Sequence, residues 1–379
     1  MSEAVEYDPS AVEAAPRADA AVRFRHIPSL DGMRAVAVLL VVFFHAIHIL
    51  PGLQPYLNGG FLGVDVFFVL SGFLITSILL QEFDRTGSIS FKNFYVRRFL
   101  RLMPAYWLHL AVLFLLGGVL FTAAESEILY ANHNFLYAFA YLTNWQRALN
   151  GSGITGLLSH TWSLAIEEQF YLFWAGFLFL LLRRLKRAQI VVAVAGLIGL
   201  TAWFRAFRWN GTMSFDFLYN AFDARMDALL VGCLVSMLVS WRFLPKKMLA
   251  SRGFDLAALA AVFVVVFILF NLSDSFYSPS LYLGGFTVFA LAVGVVVMRL
   301  ATRKGDPFSR FLETRPMVWI GKTSYGIYLW HSFAISFVHN FDLSPAVKMA
   351  AALAITFTIT AASYYLLEIP FLRLKSRFQ

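Results

Sequence analysis

The chain has 379 residues, of which 59% are hydrophobic, only 14% are charged and one is cysteine. Soluble domains carry about a quarter charged residues, so this balance excludes a soluble enzyme of two or three domains and points to one polytopic membrane domain. The lone Cys233 excludes an internal disulfide and a thiolate metal cluster, and the net charge of +9 reads as loops beside anionic lipid, with no nucleic-acid partner.

Residues 1–22 contain Glu3, Glu6, Asp8, Glu13 and Asp19 and no apolar run. That excludes a signal peptide and predicts a disordered cytoplasmic tail. Hydropathy then predicts an all-α bundle of about ten transmembrane helices, near 35–50, 61–81, 104–122, 163–182, 189–207, 222–240, 254–272, 282–300, 318–339 and 346–367. The segment 133–145 is too short and polar for a span and is expected at the interface. With the N-terminus inside, 26 of the 31 Lys and Arg fall at inner ends, leaving Arg147, Arg205, Arg208, Arg225 and Lys348 on the outer side. The expected protein is a multi-pass plasma-membrane protein with both termini cytoplasmic. Its membrane domain covers 23–372 and its basic cytoplasmic C-terminus 373–379.

In the first span, Asp31, Arg34, His45 and His48 fall on one helical stripe about 100° wide. Arg34 to His45 is eleven residues, roughly 16 Å along the axis. His45 is thus expected near or beyond the middle of the span. Ionisable groups in lipid are costly and usually line a cavity or pathway, and a neutral imidazole can act as a general base. The plainer alternative is a histidine bonded to a neighbouring helix. His48 is expected at the outer interface. Gly59 and Gly63 satisfy the small-xxx-small packing pattern.

Residues Phe91 to Met103 form an amphipathic pattern, with Arg97, Arg98 and Arg101 on one side and Tyr95, Val96, Phe99, Leu102 and Met103 on the other. It predicts a helix on the inner surface running into a span that starts at Pro104. The arginines suit lipid headgroups or the phosphates of a cytoplasmic donor. Further on, Ser163 reads as a helix N-cap, and Glu167, Tyr171 and Trp174 share a face toward which His160 also points, with Glu168 about 100° away. The set Asp223, Arg225 and Asp227 marks the outer mouth of the sixth span and reads more readily as structure than as a site. Ser324, Tyr328 and His331 lie at i, i+4 and i+7 on one face, where polar groups join helices as often as they bind substrate. Glu368 is expected in a surface contact with Arg373 and Arg377. There is no phosphate-binding lysine loop, dinucleotide glycine fingerprint or His-Glu-x-x-His helix. Gly151-Ser152-Gly153 is not a nucleophile elbow, so direct transfer is the simpler chemistry.

The ordered set of segments resembles the acyltransferase-3 family of integral membrane acyltransferases. The matching pieces are Leu30-Asp31-Gly32-Met33-Arg34 with His45, Gly63 to Ile75, Phe94 to Pro104, Trp162-Ser163-Leu164 with Glu167, Arg225-Met226-Asp227-Ala228, Ser324-Tyr325 to His331, and Glu368 with Pro370. They run from residue 30 to 372, and Ala35 stands where a glycine is common. The resemblance implies transfer of an acyl group, usually acetyl, from acyl-CoA to a hydroxyl of a carbohydrate or related acceptor. It matches His45 to the family's catalytic histidine and Arg34 to its first-motif arginine, and implies a stand-alone form without a fused hydrolase-like domain.

The working expectation follows. His45 and Glu167 are catalytic, and Asp31, Arg34, Arg97, Arg98 and Arg101 bind the donor. His160, Tyr171, Arg225, Asp227, Ser324, Tyr328 and His331 serve the acceptor or a proton path. No metal or resident cofactor is expected, acyl-CoA (acetyl-CoA first) being a co-substrate. Expected partners are a carbohydrate or glycosylated acceptor, the lipid bilayer and envelope polysaccharide enzymes. The rival expectation is a proton-coupled transporter or flippase of the same polysaccharide chemistry, although no inverted repeat is visible. A non-catalytic subunit is weaker still.

Overall fold

The computed structural model describes residues 26–50, 52, 58–130, 133–151, 156–209, 213–271, 278–375 and 378. The acidic segment 1–22 and part of 373–379 lie outside the described residues, as does the His48 side chain. Every regular element among the described residues is helical. Ten helices have 17 or more residues: α1 Pro28–His45, α2 Gly63–Thr86, α3 Phe91–Leu120, α4 Thr161–Arg184, α5 Arg187–Trp209, α6 Phe222–Ser240, α7 Arg252–Asn271, α8 Phe286–Thr302, α9 Arg315–His339 and α10 Pro345–Ser363. Eight of these, with their flanking turns, are long and apolar enough to cross a membrane; α6 and α9 are more polar. Arg225, Asp227 and Ser236 of α6 and Thr323, Ser324 and His331 of α9 are buried inside the protein, which is how a bilayer tolerates them. The protein is an all-α, multi-pass membrane bundle.

Local sequence explains the helix ends. Prolines occupy the first turns of α1, α9 and α10, where the missing N–H costs nothing. The Ser90 hydroxyl caps α3 by accepting from the Asn93 amide. Gly87, at φ +70°, ends α2 in the left-handed region. Residues 123–150 contain helices of six to eight residues, too short to span, in agreement with the expectation that 133–145 is not a span.

Four local expectations need correction. α1 begins at Pro28, so His45 is its last α-helical residue, followed by a 3-10 turn over Ala46–His48. The apolar run alone had suggested a later start and an interior histidine. The arginine segment is not a separate surface helix: α3 continues through Pro104 as one 30-residue helix. Hydrogen bonds from Tyr95 to the Leu172 carbonyl (2.7 Å), from Tyr325 to the Leu102 carbonyl (3.1 Å) and from Tyr106 to the Ala138 carbonyl (2.9 Å) hold both sides of the proline in register. At about 1.5 Å per residue such a helix is about 45 Å long, more than a hydrocarbon layer of about 30 Å. Ser163 is not the cap of α4. His160 precedes the first helical residue without a side-chain cap bond. Glu368 is not a surface contact: it is buried in a π-helical turn, Tyr364–Glu368, and accepts from Ser363 at 3.4 Å.

The centre of the bundle is the α2–α6 pair, with α1 packed between α2 and α9. Gly60 and Gly63 abut the Leu40 and Ala37 carbonyls of α1. The α2–α6 contact is closer still and reciprocal: a Cβ on Gly72 would run into the Leu229 carbonyl, and one on Gly232 into the Val69 carbonyl. Neither obstacle is a flexible side chain, so the helices must separate to admit a methyl. Gly72→Ala is expected to cost about 1–3 kcal/mol, read as a lower melting temperature in detergent.

Candidate active site

A cavity of about 270 Å³ opens among the arginines of α3 and runs inward between α1, α2, α4 and α9. Asp31, Arg34, Arg97, Arg98, Arg101, Glu167, Tyr171, Ser324 and Tyr328 all line it. Nine residues expected to act in donor binding, catalysis or acceptor handling thus share one chamber.

Arg34, Arg97, Arg98, Glu167 and Tyr328 are held by neighbours remote in sequence. Arg34 donates to Ser324 Oγ from Nε (3.2 Å) and Nη2 (3.1 Å), and from Nε to the Gly321 carbonyl (3.3 Å). Its guanidinium lies 5.5 Å from the centre of the Phe67 ring. Asp31 meets His26 at 2.6 Å at the mouth. Arg98 stacks on the Tyr171 ring at 4.1 Å. Arg97 pairs with Glu82 at 3.0 Å and donates to the Phe378 carbonyl at 2.7 Å. Glu167 accepts from Ser71 (2.8 Å) and from Tyr171 (3.2 Å). Two hydroxyl donors satisfy part of a carboxylate in an apolar bundle, where an unbonded one would be costly.

Ser163 and Tyr328, both in the lining, are joined by a hydrogen bond 2.6 Å long, and Tyr328 also donates to the His160 carbonyl at 2.8 Å. His45 is not in the lining. It lies beyond this contact in a cluster of imidazoles. His331 Nε2 is 3.2 Å from His45 Nδ1, and the His331 ring is centred 5.4 Å from His160. His160 in turn packs 5.6 Å from His109, whose ring lies 4.9 Å from that of Trp330. His109 Nδ1 and Nε2 and Trp330 Nε1 are buried and make no hydrogen bond to the described residues. Among the described residues no three His, Cys, Asp or Glu side chains converge as metal ligands.

Arg225 and Asp227 stand outside both the chamber and the histidine cluster. Arg225 Nη2 spans Asp65 Oδ1 and Oδ2 at 2.8 and 2.9 Å, and its guanidinium lies 3.7 Å from the Phe286 ring centre. Asp227 accepts from Arg205 at 2.9 Å and from Thr287 at 2.5 Å. Arg205, Arg225, Asp65 and Asp227 are all nearly fully buried, and these pairs tie α2, α5, α6 and α8 together. Arg225 and Asp227 thus have partners on neighbouring helices, the contacts that the structural alternative requires.

Sequence reasoning passed over Ser71, Ser163 and His109 as site residues. His109 and Arg205 carry the signal that had singled out His45, an ionisable group within an apolar run. Serines carry no comparable signal, being tolerated throughout membrane helices.

The sequence matches the acyltransferase domain that defines the acyltransferase-3 family over residues 27–368, which includes the histidine cluster, the buried ion pairs and all of the chamber lining but His26. This chain belongs to the acyltransferase-3 family. It is 33% identical over 361 residues to the peptidoglycan O-acetyltransferase OatA of Listeria monocytogenes, covering 91% of this chain and 56% of that protein. It is 33% identical over 364 residues to the O-acetyltransferase OatA of Staphylococcus aureus, covering 91% and 57%. The chain therefore spans little more than half the length of these relatives. No solved structure matches it. For an acyltransferase of this family, the chamber supplies cations and a carboxylate at one end, and the imidazoles behind Tyr328 supply proton-accepting nitrogens.

Proposed function

We propose that this protein is an O-acyltransferase that moves an acyl group, acetyl in the first instance, from acyl-CoA to a hydroxyl of a carbohydrate or glycosylated acceptor in the cell envelope. The observation that carries this reading is the single chamber that begins among Arg97, Arg98 and Arg101 and ends at Tyr328, one helical turn from His331 and its contact with His45. The excess of Lys and Arg at the same end of the helices supports a cytoplasmic orientation of that mouth, where acyl-CoA is available. The peptidoglycan O-acetyltransferase named among its relatives supports a cell-wall saccharide as acceptor.

In this reading the phosphates of the donor meet Arg98 and Arg101, whose planar guanidinium groups suit bidentate phosphate contacts. The thioester reaches inward past Arg34 and Glu167. The Ser163–Tyr328 contact is the partition between the thioester and His45, and rotation of the Tyr328 ring joins the two spaces. His45 removes the proton of the acceptor hydroxyl as its oxygen attacks the thioester carbonyl carbon. The C–S bond breaks, the proton passes to the thiolate sulfur, and the products are the ester and CoA.

The direct test uses the purified full chain in proteoliposomes with acetyl-labelled acetyl-CoA and a saccharide acceptor. Label covalently attached to saccharide is the expected result. Label that crosses the bilayer with none on saccharide would establish transport and end this reading. Replacing both Arg98 and Arg101 by Leu is expected to raise KM for acyl-CoA at least about tenfold with a smaller change in kcat, since each lost charge-assisted bond is worth about 1.5–3 kcal/mol.

A further inference from the structure

We propose that His331 is a positioning residue that shares the Nδ1–H of His45 with the Val41 carbonyl and supports the positive charge of His45 during transfer. This rests on the reading above in which His45 is the base. The argument needs only valence and the distances at three nitrogens. A backbone carbonyl can only accept, so the 2.7 Å contact between His331 Nδ1 and the Tyr328 carbonyl requires the proton on His331 Nδ1. A neutral His331 then carries its lone pair on Nε2. That lone pair lies 3.2 Å from His45 Nδ1, and the same His45 nitrogen lies 2.9 Å from the Val41 carbonyl. Two acceptors at one ring nitrogen require a proton there. His45 is therefore the Nδ1–H tautomer, and Nε2 is its basic atom.

The arrangement has the logic of a serine-protease triad, in which a partner at one imidazole nitrogen fixes the base function of the other. The difference is that the partner is neutral. His331 has no measurable exposure, and a carboxylate at that depth would add a buried charge that must itself be paired. An uncharged acceptor escapes this cost. When His45 Nε2 takes the hydroxyl proton, its Nδ1–H becomes the donor of a cationic ring, and the bond to His331 becomes charge-assisted, roughly twice as strong as a neutral one. The gain exists only while His45 is protonated, so it favours the transition state over the ground state.

The place of His331 in the fold makes the pairing rigid. Its Nδ1 is bonded within α9 to the Tyr328 carbonyl, a backbone group that stays in place when the Tyr328 ring turns. His45 is at the last turn of α1, where its Nδ1 bonds back to Val41. Two imidazoles on different helices are each anchored to their own backbone and face each other.

The test combines a structural and a kinetic measurement on the full chain. In protein labelled with ¹⁵N-histidine, with His45 assigned by comparison with His45→Gln, the shifts are expected to report protonated Nδ1 and unprotonated Nε2. The opposite tautomer would overturn the proposal, and this measurement needs no His331 variant to fold. In acyl transfer, His331→Phe removes one of the two acceptors at His45 Nδ1 and leaves the Val41 carbonyl; it is expected to lower kcat about 10²-fold, less than the roughly 10⁴-fold known for loss of a charged orienting partner, with KM for acyl-CoA unchanged. His331→Gln, whose amide oxygen can accept from His45 Nδ1–H, is expected to recover at least tenfold of that loss. Equal kcat for the Phe and Gln variants, with equal melting temperatures, would reduce His331 to packing and refute the proposal. Full activity of His45→Ala would instead refute the general-base reading on which it rests.

Discussion

Replacing His45 by Ala is expected to lower acyl transfer by about 10²–10⁴-fold, the range that one positioned general base contributes. The loss should fall on kcat and leave KM for acyl-CoA nearly unchanged. His45 is outside the lining of the chamber, whereas Arg34, Arg98 and Arg101 are within it, so removing the imidazole leaves the donor contacts in place. The fold should survive. His45 is half-buried at the end of α1, and the interior of α1 that packs on α2 and α9 is built from Ala35, Ala37, Val38, Val41 and Val42. A melting temperature in detergent close to that of the parent, together with transfer near background, is the expected pair of measurements. Loss of both would point to a structural histidine. Retained transfer would move the base elsewhere in the cluster.

The second large effect is on stability. Asp65→Ala is expected to cost about 3–5 kcal/mol, because it leaves the Arg225 guanidinium as an uncompensated charge inside the bundle. Asp65 and Arg225 are each 1% exposed, so solvent cannot take over the role of the carboxylate. Nε and Nη1 of Arg225 already lack hydrogen-bond partners among the described residues, and the Phe286 face contributes only a weaker cation–π attraction. The expected readout is a steep fall in folded yield from the membrane and in melting temperature. Pairing Asp65→Leu with Arg225→Met removes both charges together and should recover most of the loss, since a buried ion pair replaced by apolar groups is often nearly neutral. Recovery of stability with recovery of transfer would confirm that the pair holds helices together and has no part in the chemistry. Recovered stability with transfer still absent would return Arg225 to the reaction.

The contrast between these two sites shows what could be read from residues alone. His45, Glu167 and Arg225 give the same signal, an ionisable group within or beside an apolar run. Such a group must be satisfied inside the protein, and the sequence says so for all three. It does not say how. Arg225 spends its charge on Asp65, 160 residues away, while Glu167 is held by Ser71 and Tyr171 and faces a chamber. Paired and cavity-lining groups differ only in their neighbours. The face shared by Ser324, Tyr328 and His331 was visible from helical spacing, and its three residues turn out to meet three different partners, Arg34, Ser163 and His45.

What the sequence determined by itself is the class of protein and the approximate places of ten long helices along the chain. These depend on apolar runs of about 20 residues and on local charge, which are properties of neighbours along the chain. Only the tertiary structure decided that His45 ends its helix, that α3 carries the arginines continuously through Pro104, and that His331 faces His45 across 286 positions of sequence. Hydrophobic periodicity tells each helix which side to bury but not against which helix. Contacts between side chains far apart in sequence are fixed by that choice of partner, and in this bundle close approaches such as Gly72 with Gly232 set it.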